Sequence, residues 1–303
     1  MQWVREEESN PVRRQMLRRA IWITLAGNIL LAVGKGIAAK LSGSVALYAD
    51  TANSVSDVIY ALMLALGLWV AQQPPDLSHP QGHGRFEPLV GLVVAAAMTF
   101  AAYEAGRASI ERFQAGGTAL DLGLPTLTLV LSAGVKLGMY ALIHRIAGRS
   151  GSPALDAAAR DNLSDVLSSL AAFGGTVGSA IVTPLADPIA GGFVTLWIAR
   201  AAVGAWKDNL KYLTGGGASP ELRARIVEEA ESVPGVLNVH QVITEYAGPN
   251  LVVDMHINVD GTLTLFESHA IADEVQATLE ALSGVDRAYV HLEPCLVPER
   301  PEC

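Results

Sequence analysis

The sequence is short of charge. Asp, Glu, Lys and Arg make up only 17% of its 303 residues, against about a quarter in a soluble domain. Basic residues are outnumbered, 21 to 30, which excludes a polyanion such as nucleic acid as partner and disfavours docking on anionic lipid. Cysteine occurs twice, as Cys295 and Cys303 at the extreme C-terminus, so no disulfide framework is written here. No cleavable signal segment is apparent, because the first apolar run starts near Ile21 after an Arg-rich stretch and continues for a full span. Also missing are a nucleophile–base–orienter set, a phosphate-binding glycine loop and a nucleotide motif. The expectation is a protein that is not an enzyme and does not use ATP.

What is present is apolar length. Half of the residues are apolar and mean hydropathy is +0.33. Six runs can each cross a bilayer core of about 30 Å: roughly 19–39, 44–71, 86–112, 121–146, 156–183 and 187–211. They should be helices, since lipid offers no hydrogen-bond partner to an open strand. Arg5, Arg13, Arg14, Arg18 and Arg19 place the leading tail in the cytoplasm, and six spans return the C-terminus there. Arg145 and Arg149 agree with this orientation, whereas Arg107 and Arg112 fall on the outer side.

Charge divides the chain near residue 215. Residues 1–218 are net +2 and residues 219–303 are net −11. The domains read as a cytoplasmic tail at 1–18, an all-α six-helix transmembrane domain at 19–213 and a cytoplasmic domain at 214–303. The last reads as helix 219–232, strands 237–246 and 250–259, helix 264–282 and strand 286–293. That order is a small α+β unit.

Inside the apolar runs lies an echo. Asn53-Ser54-Val55-Ser56-Asp57-Val58 in span 2 returns as Asp161-Asn162-Leu163-Ser164-Asp165-Val166 in span 5. One carboxylate at mid-bilayer costs about 2.5–3.5 kcal/mol on insertion scales. Three are tolerable only if they face one another and a cation. Spacing of i, i+4 puts Asn53 with Asp57 on one helix face and Asp161 with Asp165 on another, so four oxygen-bearing side chains converge. Asp50, at i−3 from Asn53, shares that face as a second-shell group or sits at the membrane surface. Lys35 and Lys136 are also intramembrane, and should snorkel or pair with a carboxylate.

The motifs resemble the cation diffusion facilitator family over nearly the whole chain. Gly43–Asp50 leading into Asn53–Asp57 is similar to the family's second helix. His79-Pro80-Gln81-Gly82-His83-Gly84-Arg85-Phe86-Glu87-Pro88-Leu89 resembles its signature before helix 3. Ser152-Pro153-Ala154-Leu155 leading to Ser164-Asp165-Val166 resembles helix 5. The resemblance implies a ferredoxin-like cytoplasmic domain, a homodimer in the inner membrane, and export of a divalent metal by alternating access driven by inward proton movement. Zinc-type members have His at one or both of the positions held here by Asn53 and Asp161. The all-oxygen quartet resembles manganese members, and oxygen donors suit Mn²⁺. Fe²⁺ is the close competitor, with Zn²⁺, Co²⁺ and Cd²⁺ further cargoes. A membrane-anchored metal sensor with little transport is the alternative class. Without a histidine, one of Asp57, Asp161 and Asp165 must carry the proton.

Two further metal sites are expected. In the loop after span 2, Asp76, His79 and His83 have metal-site spacing. In the tail, His240, His256, His269 and His291 resemble the family's cytoplasmic binuclear site, with Glu293 where an Asp can occur. Metal there would bridge two tails and bias the access equilibrium.

Overall fold

The computed structural model describes residues 3–4, 11–42, 45–116 and 124–295. It divides into two units, Met1–Leu210 and Lys211–Cys303.

The first unit holds six long helices: α1 Pro11–Ser42, α2 Val45–Ala71, α3 Phe86–Gln114, α4 Leu124–Ser150, α5 Pro153–Ile181 and α6, which ends at Leu213 after starting at Ala186. Among the described residues, five of them, all but α5, are long and apolar enough to cross a membrane. The α5 helix carries Asp156, Arg160, Asp161 and Asp165 in its first four turns. Its 29 residues nonetheless measure about 44 Å. The turn before α5 is built as its sequence demands. Gly151 takes φ 62°, Ser152 caps the helix by accepting from Leu155 N at 3.2 Å, and Pro153 occupies the first helical position.

Five helices close a ring in the order α1, α2, α3, α5, α4, each packing on the next and α4 returning to α1. Leu17, Leu64, Leu68, Ile143 and Leu155 form one core across α1, α2, α4 and α5. The α6 helix packs outside the ring, where Ala202 and Ala205 meet Met98 of α3 and Ala157 of α5. Trp206 Nε1 donates to Thr99 Oγ1 at 3.1 Å across the same seam. Large apolar side chains such as Trp22, Leu66, Phe100, Leu131 and Phe193 remain exposed on the outer surfaces, as a lipid-facing belt requires.

The α1 helix starts at Pro11, eight residues before the expected span, so Arg13, Arg14, Arg18 and Arg19 are helical. Arg13 explains the extension. Its Nη2 donates to buried Glu87 at 2.9 Å and its Nε to Ser150 O at 3.0 Å, tying α1 to the start of α3 and the end of α4. Arg107 and Arg112, which run against the charge rule for orientation, are both paired. Arg112 meets buried Asp187 at 2.9 Å, and Arg107 meets Glu104 and Glu111 on its own helix.

The second unit contains α7 Pro220–Glu231, β1 Asn238–Ala247, β2 Asn250–Asp260, α8 Leu265–Glu280 and β3 Val285–Cys295. The strand order is β1-β2-β3, with β1/β2 antiparallel and β2/β3 parallel. Gly248, at φ 68°, opens the two-residue hairpin between Ala247 and Asn250. Leu251, Val253, Met255, Ile257 and Val259 alternate along β2 and pack on Ile226 and Ala230 of α7 and Val275 and Leu279 of α8. The opposite sheet face, carrying Val252, Asp254 and His256, is left open. Cys295 ends β3 buried and disulfide-bonded, where the sequence alone pointed to no disulfide framework. Cys303 lies outside the described residues.

The Arg13–Glu87 pair gives an asymmetric prediction. Arg13→Ala leaves an unpaired carboxylate in an almost fully buried place and should cost about 3 kcal/mol. Glu87→Gln keeps a hydrogen-bond acceptor and should cost about 1 kcal/mol. Thermal unfolding of the two purified variants checks the order.

Candidate metal centre

The interior of the helical ring is polar. The α2 helix brings Asp57, α4 brings Lys136 and α5 brings Asp161 and Asp165. Lys136 Nζ lies 2.6 Å from Asp165 Oδ2 and 3.1 Å from Asp57 Oδ2. The contact to Asp57 is a hydrogen bond. That to Asp165 is an ion pair by distance without directed hydrogen-bond geometry. Lys136 itself is buried, so of the two options read from sequence it takes the carboxylate. Asp161 has no ion-pair or hydrogen-bond partner among the described residues. It faces a cavity of about 20 Å³ shared with Thr24, Asn28, Asp57, Tyr60 and Asn162, room for one water or one ion.

Asn53 stands apart. It is exposed and does not line that cavity. Four residues advance a helix by about 6 Å and overshoot a full turn by about 40°. That offset is enough to leave Asn53 off the face that Asp57 turns inward. Asp50 lies on α2, and its side chain is outside what the structure describes.

The loop residues meet as the spacing implied. Asp76, His79 and His83 offer ligand atoms within 4.8 Å of one another. Asp76 Oδ1 accepts from the backbone N–H of His79 at 2.7 Å and of Ser78 at 2.8 Å. These bonds, His79's first, hold its carboxyl below the usual carboxylate range. His79 Nδ1 lies 3.5 Å from Asp76 Oδ1, and His83 Nε2 lies 3.5 Å from Oδ2. His83 is buried against Phe86, with 5.9 Å between ring centroids, and its Nδ1 has no hydrogen-bond partner.

On the open face of the sheet, His240, His256 and Glu293 form a second such group, again within 4.8 Å. Strand register explains it. His256 of β2 pairs with His291 of β3, and Asn258 pairs with Glu293, so two adjacent rungs of one face carry the cluster. His240 is the extra residue of a bulge, since Val239 pairs with Ile257 and Gln241 with His256. The bulge re-aims its imidazole across the face. Glu293 Oε1 accepts from His256 Nδ1 at 3.0 Å and lies 3.4 Å from His240 Nε2. The bond from His256, with a smaller effect of His240, holds the Glu293 carboxyl below its usual range. His291 lies beside His256, 4.7 Å between centroids with the rings tilted by 51°. His269 does not join them. It sits on α8, which covers the other face, and is exposed 3.8 Å from Asp273.

Two residues of the ring went unmarked in the sequence reading. Asn28 of α1 and Asn162 of α5 are buried, line the cavity with Asp57 and Asp161, and each has an Oδ1 without a hydrogen-bond donor. The available signal was an isolated amide in an apolar run. Asn162 was also overshadowed by Asp161 in the repeated motif.

With this geometry in place, the chain matches the cation efflux transmembrane domain over residues 21–214 and the cytoplasmic domain of cation efflux proteins over residues 218–295. The chain belongs to the cation efflux family. It is 34% identical to an uncharacterized transporter of Methanocaldococcus jannaschii over 281 residues, covering 91% of this chain and 98% of that one. It is 29% identical to the manganese efflux system protein MneS of Bacillus subtilis, covering 90% and 93%. It is 30% identical to the magnetosome protein MamM of Magnetospirillum gryphiswaldense, covering 85% and 82%. Cation efflux proteins are transporters, and this one is an integral membrane protein whose activity is the efflux of divalent metal cations.

Removing the ammonium from the ring tests its role in the metal-free fold. Lys136→Met strands two carboxylates and should lower stability by about 3 kcal/mol. Adding Asp57→Asn should recover part of that loss, because the pair is coupled. Thermal unfolding of the two variants without added metal measures both terms.

Proposed function

We propose that the protein exports Mn²⁺ from the cytoplasm in exchange for protons, using Asp57, Asp161 and Asp165 as its transport site. The observation that carries this reading is the convergence of three carboxylates inside a ring of membrane helices, with no imidazole among them. Oxygen-only donor sets suit hard cations such as Mn²⁺, whereas imidazole draws zinc, copper and nickel. The name of the relative MneS, a manganese efflux system protein, points the same way.

In this reading α5 is a sixth span, both termini are cytoplasmic and the protein lies in the plasma (inner) membrane. The six-helix domain runs over residues 19–213 and the tail over 214–303. Asn53 acts from the rim of the site. One of the three carboxylates takes up a proton as the metal leaves, so that charge returns across the membrane. The protein works as a homodimer. The open sheet face, with His240, His256, His291 and Glu293, takes a regulatory divalent metal between two tails, while Asp76, His79 and His83 take one at the loop. His269 contributes to the tail site only through a second copy, since its own sheet face is the wrong one.

Flux in proteoliposomes tests the reading. Asp57→Asn and Asp165→Asn should each lower Mn²⁺ flux by about ten-fold or more, and collapsing the pH gradient should slow the wild type. Asp161→His should raise zinc transport relative to manganese. Wild-type flux from the Asn variants would remove the intramembrane site, and indifference to the pH gradient would remove proton exchange. At the tail, His256→Ala should weaken metal binding by about ten-fold or more, while His269→Ala in the same titration tests whether the second copy is needed.

A further inference from the structure

The three carboxylates do not exhaust the oxygen atoms at the centre of the ring. Asn28 and Asn162 are 5% and 3% exposed, and both line the cavity that Asp57 and Asp161 share. The Asn162 amide is oriented by its own helix. Its Nδ2 donates to Ala158 O at 2.7 Å, which fixes the amide plane and leaves Oδ1 without a donor. Asn28 Oδ1 is equally without one. Buried carbonyl oxygens almost always find a donor or a cation, and two such orphans on one cavity is unusual.

The other polar groups on the wall include acceptors. Asp57 and Asp161 are carboxylates, and Thr24 spends its hydroxyl proton on Ala20 O at 2.9 Å. Lys136 is engaged with Asp57 and Asp165, so the lysine holds one flank of the carboxylate group. Asn28 and Asn162 line the cavity with Asp57 and Asp161, on a wall that also includes Tyr60 and apolar residues such as Ala61, Leu64 and Val94. A cavity of about 20 Å³ with two carboxylates and two amides on its wall has room for a small cation.

We infer that Asn28 and Asn162 are metal ligands, whose side-chain carbonyl oxygens join Asp57 and Asp161 around the transported cation. The inference rests on the intramembrane site proposed above and extends it to α1, a helix that the repeated motif does not touch. It also supplies what the exposed position of Asn53 removes. Hard cations such as Mn²⁺ favour six oxygen donors, whereas Zn²⁺ is content with four ligands. Two neutral amide oxygens raise the donor count without adding negative charge to the bundle. They should therefore favour manganese over zinc.

The competing occupant is a water molecule that donates to both amides and has no part in transport. Replacement by leucine, which keeps the branched shape at some added bulk and removes the oxygen, separates the two. The assay is flux of Mn²⁺ and of Zn²⁺ by the full chain in proteoliposomes, read as kcat/KM for each metal. Asn28→Leu and Asn162→Leu should each lower the Mn²⁺ value by about ten-fold or more and lower the Mn²⁺/Zn²⁺ ratio with it. Asn28→Asp and Asn162→Asp, which keep an oxygen donor, should hold the ratio at or above that of the wild type. Leucine variants with wild-type Mn²⁺ kinetics and ratio would overturn the inference in favour of water. If a leucine variant fails to reconstitute, the aspartate variants decide: a retained ratio supports ligation and a lost one overturns it. Asp161→Asn runs alongside. If it transports normally, the intramembrane site itself fails; if it loses transport while the leucine variants do not, only the inference about the amides fails.

Discussion

A carboxylate inside an apolar bundle has to meet positive charge, and the first unit is arranged around that requirement. Insertion of one carboxylate at mid-bilayer costs about 3 kcal/mol. An opposite charge at about 4 Å, at an effective dielectric constant of about 20, returns about 4 kcal/mol. One ammonium therefore compensates one or two carboxylates, and the ring encloses three. Lys136 takes Asp57 and Asp165. Asp161 is left facing a cavity. The imbalance is a standing demand for a further cation, which supports the proposed transport site.

The same logic operates at the helix ends. Glu87 and Asp187 are both buried at the starts of their helices, and each is met by an arginine from a distant part of the chain, Arg13 and Arg112. These pairs fasten α1 to α3 and α3 to α6. Arg160 spans Asp156 and Asp208 in a similar way, at 2.6 and 2.7 Å, joining α5 to α6. Polar contacts thus act as clasps near the helix termini, while the middle of the ring holds one lysine and a cavity. The interior is stabilised enough to form without metal and is left incomplete where metal would sit.

Much of this was legible in the sequence. The apolar runs located the long helices to within a few residues except at α1, where the arginines looked like a tail because their partners, Glu87 and the carbonyl of Ser150, are far away in sequence. The tail domain's elements were readable from alternation and caps, because those signals are local. The repeated motif pointed to α2 and α5, whose Asp57 and Asp165 reach the same lysine, whereas i, i+4 spacing specifies a face only to within tens of degrees and Asn53 is exposed. The histidine cluster was half readable: strand register brings His256, His291 and Glu293 together, but nothing in the sequence marks the bulge that turns His240 towards them. His269 was included because its position resembles the family's cytoplasmic site, and its helix lies on the covered face of the sheet. Asn28 was invisible because no motif contains it.

The buried surface of α5 next to the site is made mainly of alanine: Ala154, Ala157, Ala158 and Ala159 are all within a few per cent of full burial. Alanine has no side-chain torsion to freeze or release, and it presents no knob that must leave one hole before entering another. A helix faced with such a surface can turn or slide against α3 and α4 without repacking interlocked side chains. The carboxylates of α5 are therefore carried on something like a plain bearing, smooth along the alanine face and gripped at Leu155 and at the Arg160–Asp208 clasp.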